Sequence, residues 1–258
     1  MRRNRIYVWS LPLILLSLSS IPVHAIVNMD DIHFKQHRED LSGSISLQAS
    51  QRSGNTQSSN VSFSNQLQWN SAQHINLLVL GYEYGETNDT RSQNSSFIHG
   101  RHVRNYSEHV DYEFFSQLEK NEFTRLNYRG LIGAGLRLMV GDSENHTAYL
   151  GIGGFHEEEK TQDVNSEQEK TTRTGRWNVY LMSRYNIADH MKFSNTLYWQ
   201  PSMSDTADRR SLFISNLSIR TTRQFSVQIS FEVSYDSEPP TGVEKRDSQL
   251  KTGLQYSF

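Results

Sequence analysis

The chain contains no cysteine, which removes disulfide staples, thiol nucleophiles and cysteine-ligated metals together. Long apolar runs are also missing. Beyond the N-terminus none approaches the roughly 18 residues that a membrane-crossing helix requires, and a mean hydropathy of −0.66 is too polar for helical spans. Nor is there a large excess of one charge: the formal net charge is −2, which argues against a basic nucleic-acid-binding protein. What remains is a polar chain whose apolar residues are sorted by position.

Residues 1–25 have the make-up of a secretory signal peptide. Arg2, Arg3 and Arg5 form a positive start, Ile6 to Leu18 an apolar core, and Val23-His24-Ala25 ends in a small residue where a signal peptidase would cut after Ala25. Removing these residues takes away three positive charges and no negative ones, leaving −2 − 3 = −5. Residues 26–40 are polar and lack alternation; they read as a periplasmic lead-in. His33 and His37 would share a face if helical, yet no third ligand at site-like spacing follows, so a solvated tail is the simpler reading.

From Leu41 to Phe258 the pattern is alternation. The clearest stretch runs Phe225, Val227, Ile229, Phe231, Val233, Tyr235 against Ser226, Gln228, Ser230, Glu232, Ser234. After a Pro- and Gly-bearing loop, Leu250, Leu254, Tyr256 and Phe258 alternate with Gln249, Lys251, Gly253 and Gln255. Successive side chains on a strand point to opposite faces, so each segment has one apolar and one polar face. Lipid can cover the first and a polar lumen the second. The same reading along the chain gives twelve strands. Short turns near 70–72, 106–109, 141–146, 188–190 and 221–224 alternate with longer polar connections near 53–59, 86–95, 157–172, 201–210 and 237–246, while the one near 120–124 is short for its class. That asymmetry, with strands long enough to cross lipid when tilted, predicts a transmembrane antiparallel up-and-down β-barrel over 41–258 with both termini periplasmic. A soluble sandwich would have shorter strands and no such asymmetry. Residues 75–84 are apolar on both faces, which leaves their register open.

With the apolar faces outward, the lumen receives Asp111, Glu113, Glu119, Arg129, Arg137, Arg176, Arg184, Arg220 and Glu232. Both signs are present. One reading is an ion-pair network filling a narrow lumen. The other is an arginine track for acidic oligosaccharides, since guanidinium forks grip carboxylates bidentately. Residues 130–135 (GLIGAG) resemble a dinucleotide loop only superficially, because no helix-forming segment follows; glycines on an inner face make room for large side chains. A lipid-acting enzyme would need a Ser–His pair on the lipid face. His99, His102, His109 and His156 offer none that the sequence singles out, so no catalysis is expected. The acidic segment 157–169 reads as a solvated outer loop, with divalent-cation binding as the alternative.

Residues 235–258 (YDSEPPTGVEKRDSQLKTGLQYSF) resemble the C-terminal signature of the YdiY-like, salt-induced outer-membrane protein family: an acidic-Pro-Pro loop, a downstream Asp, and a strand ending Tyr-x-Phe. The stretches SGNTQSS (53–59) and RGLIGAGLRL (129–138) resemble its other recurring segments. The resemblance implies an outer-membrane barrel of poorly defined biochemical role, linked through the family to salt or osmotic adaptation. KTGLQYSF also resembles the signal read by the barrel assembly machinery, carried by Lys251, Gly253, Tyr256 and Phe258. The expected partners are that machinery, outer-membrane lipid and lipopolysaccharide, and small solutes. No cofactor, metal or nucleic acid is expected, and the barrel is expected to be a monomer with a structural or narrow-channel role.

Overall fold

The computed structural model describes residues 40–52, 58–162 and 169–258. The expected signal peptide with its cleavage point at Ala25, the lead-in up to residue 39, and His33 and His37 lie outside the described residues. Twelve strands are present: β1 (Asp40–Arg52), β2 (Ser58–Ser71), β3 (His74–Thr87), β4 (Thr90–Asn105), β5 (Val110–Asn121), β6 (Leu126–Asp142), β7 (His146–Gln162), β8 (Glu169–Ala188), β9 (Met191–Pro201), β10 (Arg209–Arg220), β11 (Phe225–Asp236) and β12 (Arg246–Ser257). Each pairs antiparallel with its sequence neighbours, and β12 returns to β1 to close the barrel. Closure is short, running from Ser44↔Ser257 to Gln48↔Gly253. Reciprocal bonds of 3.0 Å between the backbones of Gly43 and Phe258 extend it. Gly43 is glycine for a reason: a methyl there would strike the Phe258 ring, which lies across the seam.

The alternation sorts as expected. Leu47, Trp69, Phe114, Leu118, Ile132, Leu181, Leu197 and Leu254 are exposed on the outer wall, whereas Asp111, Glu113, Gln117 and Glu119 of β5 are buried inside. Two aromatic girdles bound the apolar band. Trp69, Tyr106, Tyr112, Tyr185 and Phe225 lie toward the end that holds the short turns and both strand termini; Phe63, Tyr84, Tyr128, Trp177 and Trp199 lie toward the other. Tyr112 pairs with Leu136, and Tyr128 stands 136 − 128 = 8 residues further along β6. At about 3.3 Å per residue and about 40° of tilt this is about 20 Å, close to the apolar band of a membrane barrel.

Two expected loops are strand instead. The polar stretch 86–95 collapses to a two-residue turn at Asn88 and Asp89, whose positive φ of 50° and 60° suit Asn and Asp. The stretch 157–172 is largely ladder, paired from Glu157↔Thr174 to Gln162↔Glu169. Above the far girdle both faces of these hairpins are polar, with Glu158 and Arg173 paired at 2.7 Å on the outer side. Lipid no longer demands apolar residues there, so the alternation that marks a strand disappears while the strand continues.

Candidate functional site

The lumen is built in two unlike halves. The wall from β4 to β10 is packed with long side chains that occupy one another. Nearest the far end, Arg129, Arg176 and Arg210 interlock with Glu119, Glu157, Glu159, Asp208 and Asp236. Arg129 reaches Glu157 at 2.9 Å, Glu159 at 3.3 Å and Glu119 at 3.5 Å. Arg176 meets Glu157 at 2.6 Å and forks onto Asp208 at 3.0 and 2.9 Å. Arg210 bonds both oxygens of Glu159 at 2.7 and 3.0 Å, and also Glu157 and Asp236. Below this, Arg101 meets Glu113 at 2.8 Å, and the Tyr180 hydroxyl donates to the same carboxylate at 2.8 Å. Lower still, Arg137 makes two bonds to Asp111, at 3.0 and 2.5 Å, with its guanidinium 4.4 Å from the centre of the Tyr149 ring. Charges taken out of water need such partners, and in a network every lone pair and proton is contested.

An apolar cluster crosses the same interior. Ile75, Leu77 and Val79 of β3 belong to one buried core with Val103, Tyr149, Tyr180, Met182, Tyr198, Leu212 and Ile214. The two apolar faces of residues 75–84 thus have separate covers: Leu78, Leu80 and Tyr82 look outward, while Ile75, Leu77 and Val79 plug the lumen. This continuity between opposite walls leaves no wide central pore.

Against this stands the wall of β11, β12, β1, β2 and β3. Over β1 and β2 its inner face carries mainly Ser and Gln, with Glu83, Glu232 and Lys251 on β3, β11 and β12, and two cavities follow it. One of about 440 Å³ opens at the terminal end and is lined by Ser42, Ser44, Gln66, Gln68, Ser218, Ser226, Gln255 and Ser257, with Asp189, Lys192, Arg220 and Arg223 among its charged lining residues. The second, about 170 Å³, lies beyond it, lined by Ser46, Gln48, Ser62, Ser64, Ser95, Ser230, Glu83, Glu232 and Lys251. The residues change from one cavity to the next in strict inner-face order, Ser44 to Ser46 on β1, Gln66 to Ser64 on β2. Between them Gln228 donates to Gln255, and to Ser218 at 2.9 Å. In the second cavity Lys251 and Gln93 both donate to Glu83.

Of the luminal residues expected from the sequence, Asp111, Glu113, Glu119, Arg129, Arg137 and Arg176 are buried in the packed half. Arg184 shares their face lower on β8 and is partly buried. Two placements correct the expected arginine track. Arg220 keeps the expected inner face and lines the terminal-end cavity, but it stands exposed at the rim, its guanidinium donating to the Asp189 carbonyl at 2.5 Å, because it ends β10 at the short-turn side. Glu232 belongs to the open half with Glu83 and Lys251, not to the arginines. The acidic stretch expected to be a solvated loop is corrected too: Glu157 and Glu159 are luminal hubs. Sequence reasoning missed Arg210, Asp208, Asp236, Arg101 and Glu83. Arg210 was legible, since it keeps step with Arg220 along the inner face of β10. Of the assembly-signal residues, Lys251 and Gly253 face inward, with Gln48 where a Gly253 side chain would stand, and Tyr256 and Phe258 face outward, their rings 6.1 Å apart. The histidines are scattered: His99 is luminal and lies 3.1 Å from Gln117, while His102 looks outward beside Asn76.

The inner-face glycines make room, as expected. A methyl group on Gly151 would run into the Tyr180 ring, and one on Gly133 would meet Phe115 and Phe155. Gly151→Val is therefore expected to displace Tyr180 from Glu113 and destabilise the barrel by about 1–3 kcal/mol, the usual cost of overpacking. Urea unfolding of vesicle-reconstituted protein would measure it, and an unchanged midpoint would mean that the packed half can yield.

Residues 45–258 match the model of a family described as protein of unknown function, DUF481. The chain belongs to this family. Among solved structures it is similar to the NanC porin, with 11% identity, 83% of this chain and 98% of that chain covered, and a TM-score of 0.50. An outer membrane channel from Pseudomonas putida F1 gives 11% identity, coverages of 85% and 94%, and a TM-score of 0.50. These likenesses bear on the fold, a porin-like closed barrel of twelve strands. No curated protein matches the chain.

Proposed function

We propose that this DUF481 chain is an exported outer-membrane barrel, working as a monomer, that conducts water and small polar solutes along the Ser/Gln-lined side of its lumen. The observation that carries the reading is the pair of cavities stacked along one wall while the opposite wall is packed solid. The packed half is a scaffold: Arg129, Arg137 and Arg176 are all engaged by carboxylates, which speaks against an arginine track for acidic oligosaccharides. In the second cavity Glu83 and Glu232 face a single Lys251, a formal balance of 1 − 2 = −1, while Asp189, Lys192, Arg220 and Arg223 stand at the wider cavity at the terminal end. A narrow waist with that sign favours cations. Catalysis is not proposed, because conduction needs no more than the cavities already supply. The resemblance to YdiY-like proteins adds a salt or osmotic setting, in which a small, weakly selective conduit is chemically suited.

Single-channel recording of the refolded mature chain in planar bilayers tests this. Small, weakly cation-preferring openings are expected, moving toward anion preference in the double variant Glu83→Gln, Glu232→Gln. Selectivity that instead follows charge reversal at Arg137 or Arg184 would restore the arginine track. A folded barrel that passes no current would make the whole lumen a packed core.

A further inference from the structure

On the outer wall an apolar groove crosses β2 to β6. Gly100 projects no side chain, and a methyl there would meet only Ser116 Oγ, at 3.7 Å. Gly100 pairs with Ser116 on β5 and Leu78 on β3, so two small residues sit side by side among large ones. The result is an apolar groove of about 580 Å³ that follows one rung of the ladder, from Ile132 through Ser116 and Gly100 to Leu78, Leu67 and Trp69. Leu67 and Leu78 lie close to the short turn joining β2 and β3, whereas Ile132 is deep within β6. The groove therefore climbs from the terminal end toward the middle of the band.

At its low end stands a polar cluster on the same outer face. Asn76 donates through Nδ2 to the Trp69 carbonyl at 3.4 Å, which turns its Oδ1 toward His102 Nδ1 at 2.8 Å. That bond places the proton of a neutral His102 on Nδ1 and leaves Nε2 uncommitted. The His74 ring lies 5.1 Å from that of His102, and its Nδ1 is buried without a hydrogen-bond partner among the described residues. Arg104, opposite His74 in the ladder, is exposed at the level of Tyr112 in the girdle. An apolar trough bare of side chains at Gly100, with basic and imidazole nitrogens at its interfacial end, matches one amphiphile: a phosphate at the terminal end with an acyl chain running from it toward the middle of the band.

We propose that this groove binds one glycerophospholipid of the periplasmic leaflet, an acyl chain lying over Gly100 and Ser116 and the phosphate held by His74, His102 and Arg104. The proposal rests on the outer-membrane placement above, with the strand termini periplasmic. Position decides the leaflet, since the cluster lies at the terminal-end girdle, the breadth of the apolar band away from the lipopolysaccharide side.

The test is native mass spectrometry of the mature chain, purified in detergent and given phosphatidylglycerol or lipid A. One phosphatidylglycerol should stay on the wild-type barrel under activation that strips other lipid. Gly100→Leu, which fills the groove, should abolish the adduct. Arg104→Gln, at an exposed position that threatens no packing, should lower its retention roughly fivefold, which keeps the test open should Gly100→Leu fail to fold. An adduct indifferent to both changes would overturn the site. So would lipid A held as firmly, or a dimer that Gly100→Leu splits, which would make the groove a contact between copies. Bilayers that pass no current leave this result untouched, and loss of the adduct leaves the conduit untouched, so the two readings fail separately.

Discussion

Arg129→Met should remove about 3–5 kcal/mol of the barrel's stability, although methionine fills nearly the same space and the residue is remote from the open cavities. Its side chain is 2% exposed and faces Glu119, Glu157 and Glu159, themselves 2%, 1% and 10% exposed. Breaking a buried ion pair from one side costs this much because the surviving charges keep their desolvation and lose their partner. The network is also unbalanced. Three arginines serve Glu119, Glu157, Glu159, Asp208 and Asp236, a formal 3 − 5 = −2, and losing Arg129 makes it 2 − 5 = −3. Glu157→Gln moves the balance the other way, to −1, and keeps a hydrogen-bonding side chain, so its cost should be smaller. Glu158→Gln, which breaks an outer pair with Arg173 that is 33% and 68% exposed, should leave stability nearly unchanged, because water screens both charges. Urea unfolding from lipid vesicles, followed by the fluorescence of Trp69, Trp177 and Trp199, orders the three. Equal losses for Arg129→Met and Glu158→Gln would show that water reaches the network and that the far half of the lumen is not packed.

Much of the fold was legible because lipid imposes a period of two on every strand it touches. Phe225 to Tyr235 needs only that rule, and the rule also put Arg129, Arg137 and Arg176 inside. It failed wherever its physical cause was absent. At Glu86 to Asn94 and again beyond His156 the strands leave the band, both faces are polar, and a continuing ladder looks like a loop. Asp208 was lost for the same reason, since it sits in the turn before β10, out of the apolar zone, whereas the inner-face step from Arg220 to Arg210 was there to be read. Residues 75–84 failed in the opposite sense. Their apolar inner face was a signal, because a polar water-filled lumen has no use for Ile75, Leu77 and Val79 in a row, whereas a plugged one does. What no pattern along one chain could give is which luminal charges meet. Arg129 and Glu157 lie on neighbouring strands and their contact follows from register, but Arg210 reaching Glu157 and Glu159 depends on how the barrel closes.

That closure sets up the second large effect. Tyr180 and Tyr198 stand with ring centres 5.3 Å apart in the apolar cluster that divides the interior, and both are nearly inaccessible, at 2% and 1%. A twelve-stranded barrel is wide enough to conduct if its filling is thinned. Tyr180→Ala with Tyr198→Ala should therefore raise unitary conductance at least about twofold, since side chains alone close this half of the interior in a barrel this size. The gain has a cost in stability of about 3–5 kcal/mol for each ring, the range for deleting large buried aromatics, and Glu113 loses the hydroxyl that donates to it at 2.8 Å. The new path should prefer cations more strongly than the wild-type conduit, because it exposes Glu113 with one donor fewer. Recordings from the double variant beside Glu83→Gln, Glu232→Gln then separate the two halves: the first change acts on the packed wall and the second on the open one, so their effects on current should add. An unchanged conductance in the tyrosine variant, with the predicted loss of stability, would mean that Leu212, Ile214 and Met182 collapse into the space and that the plug heals itself.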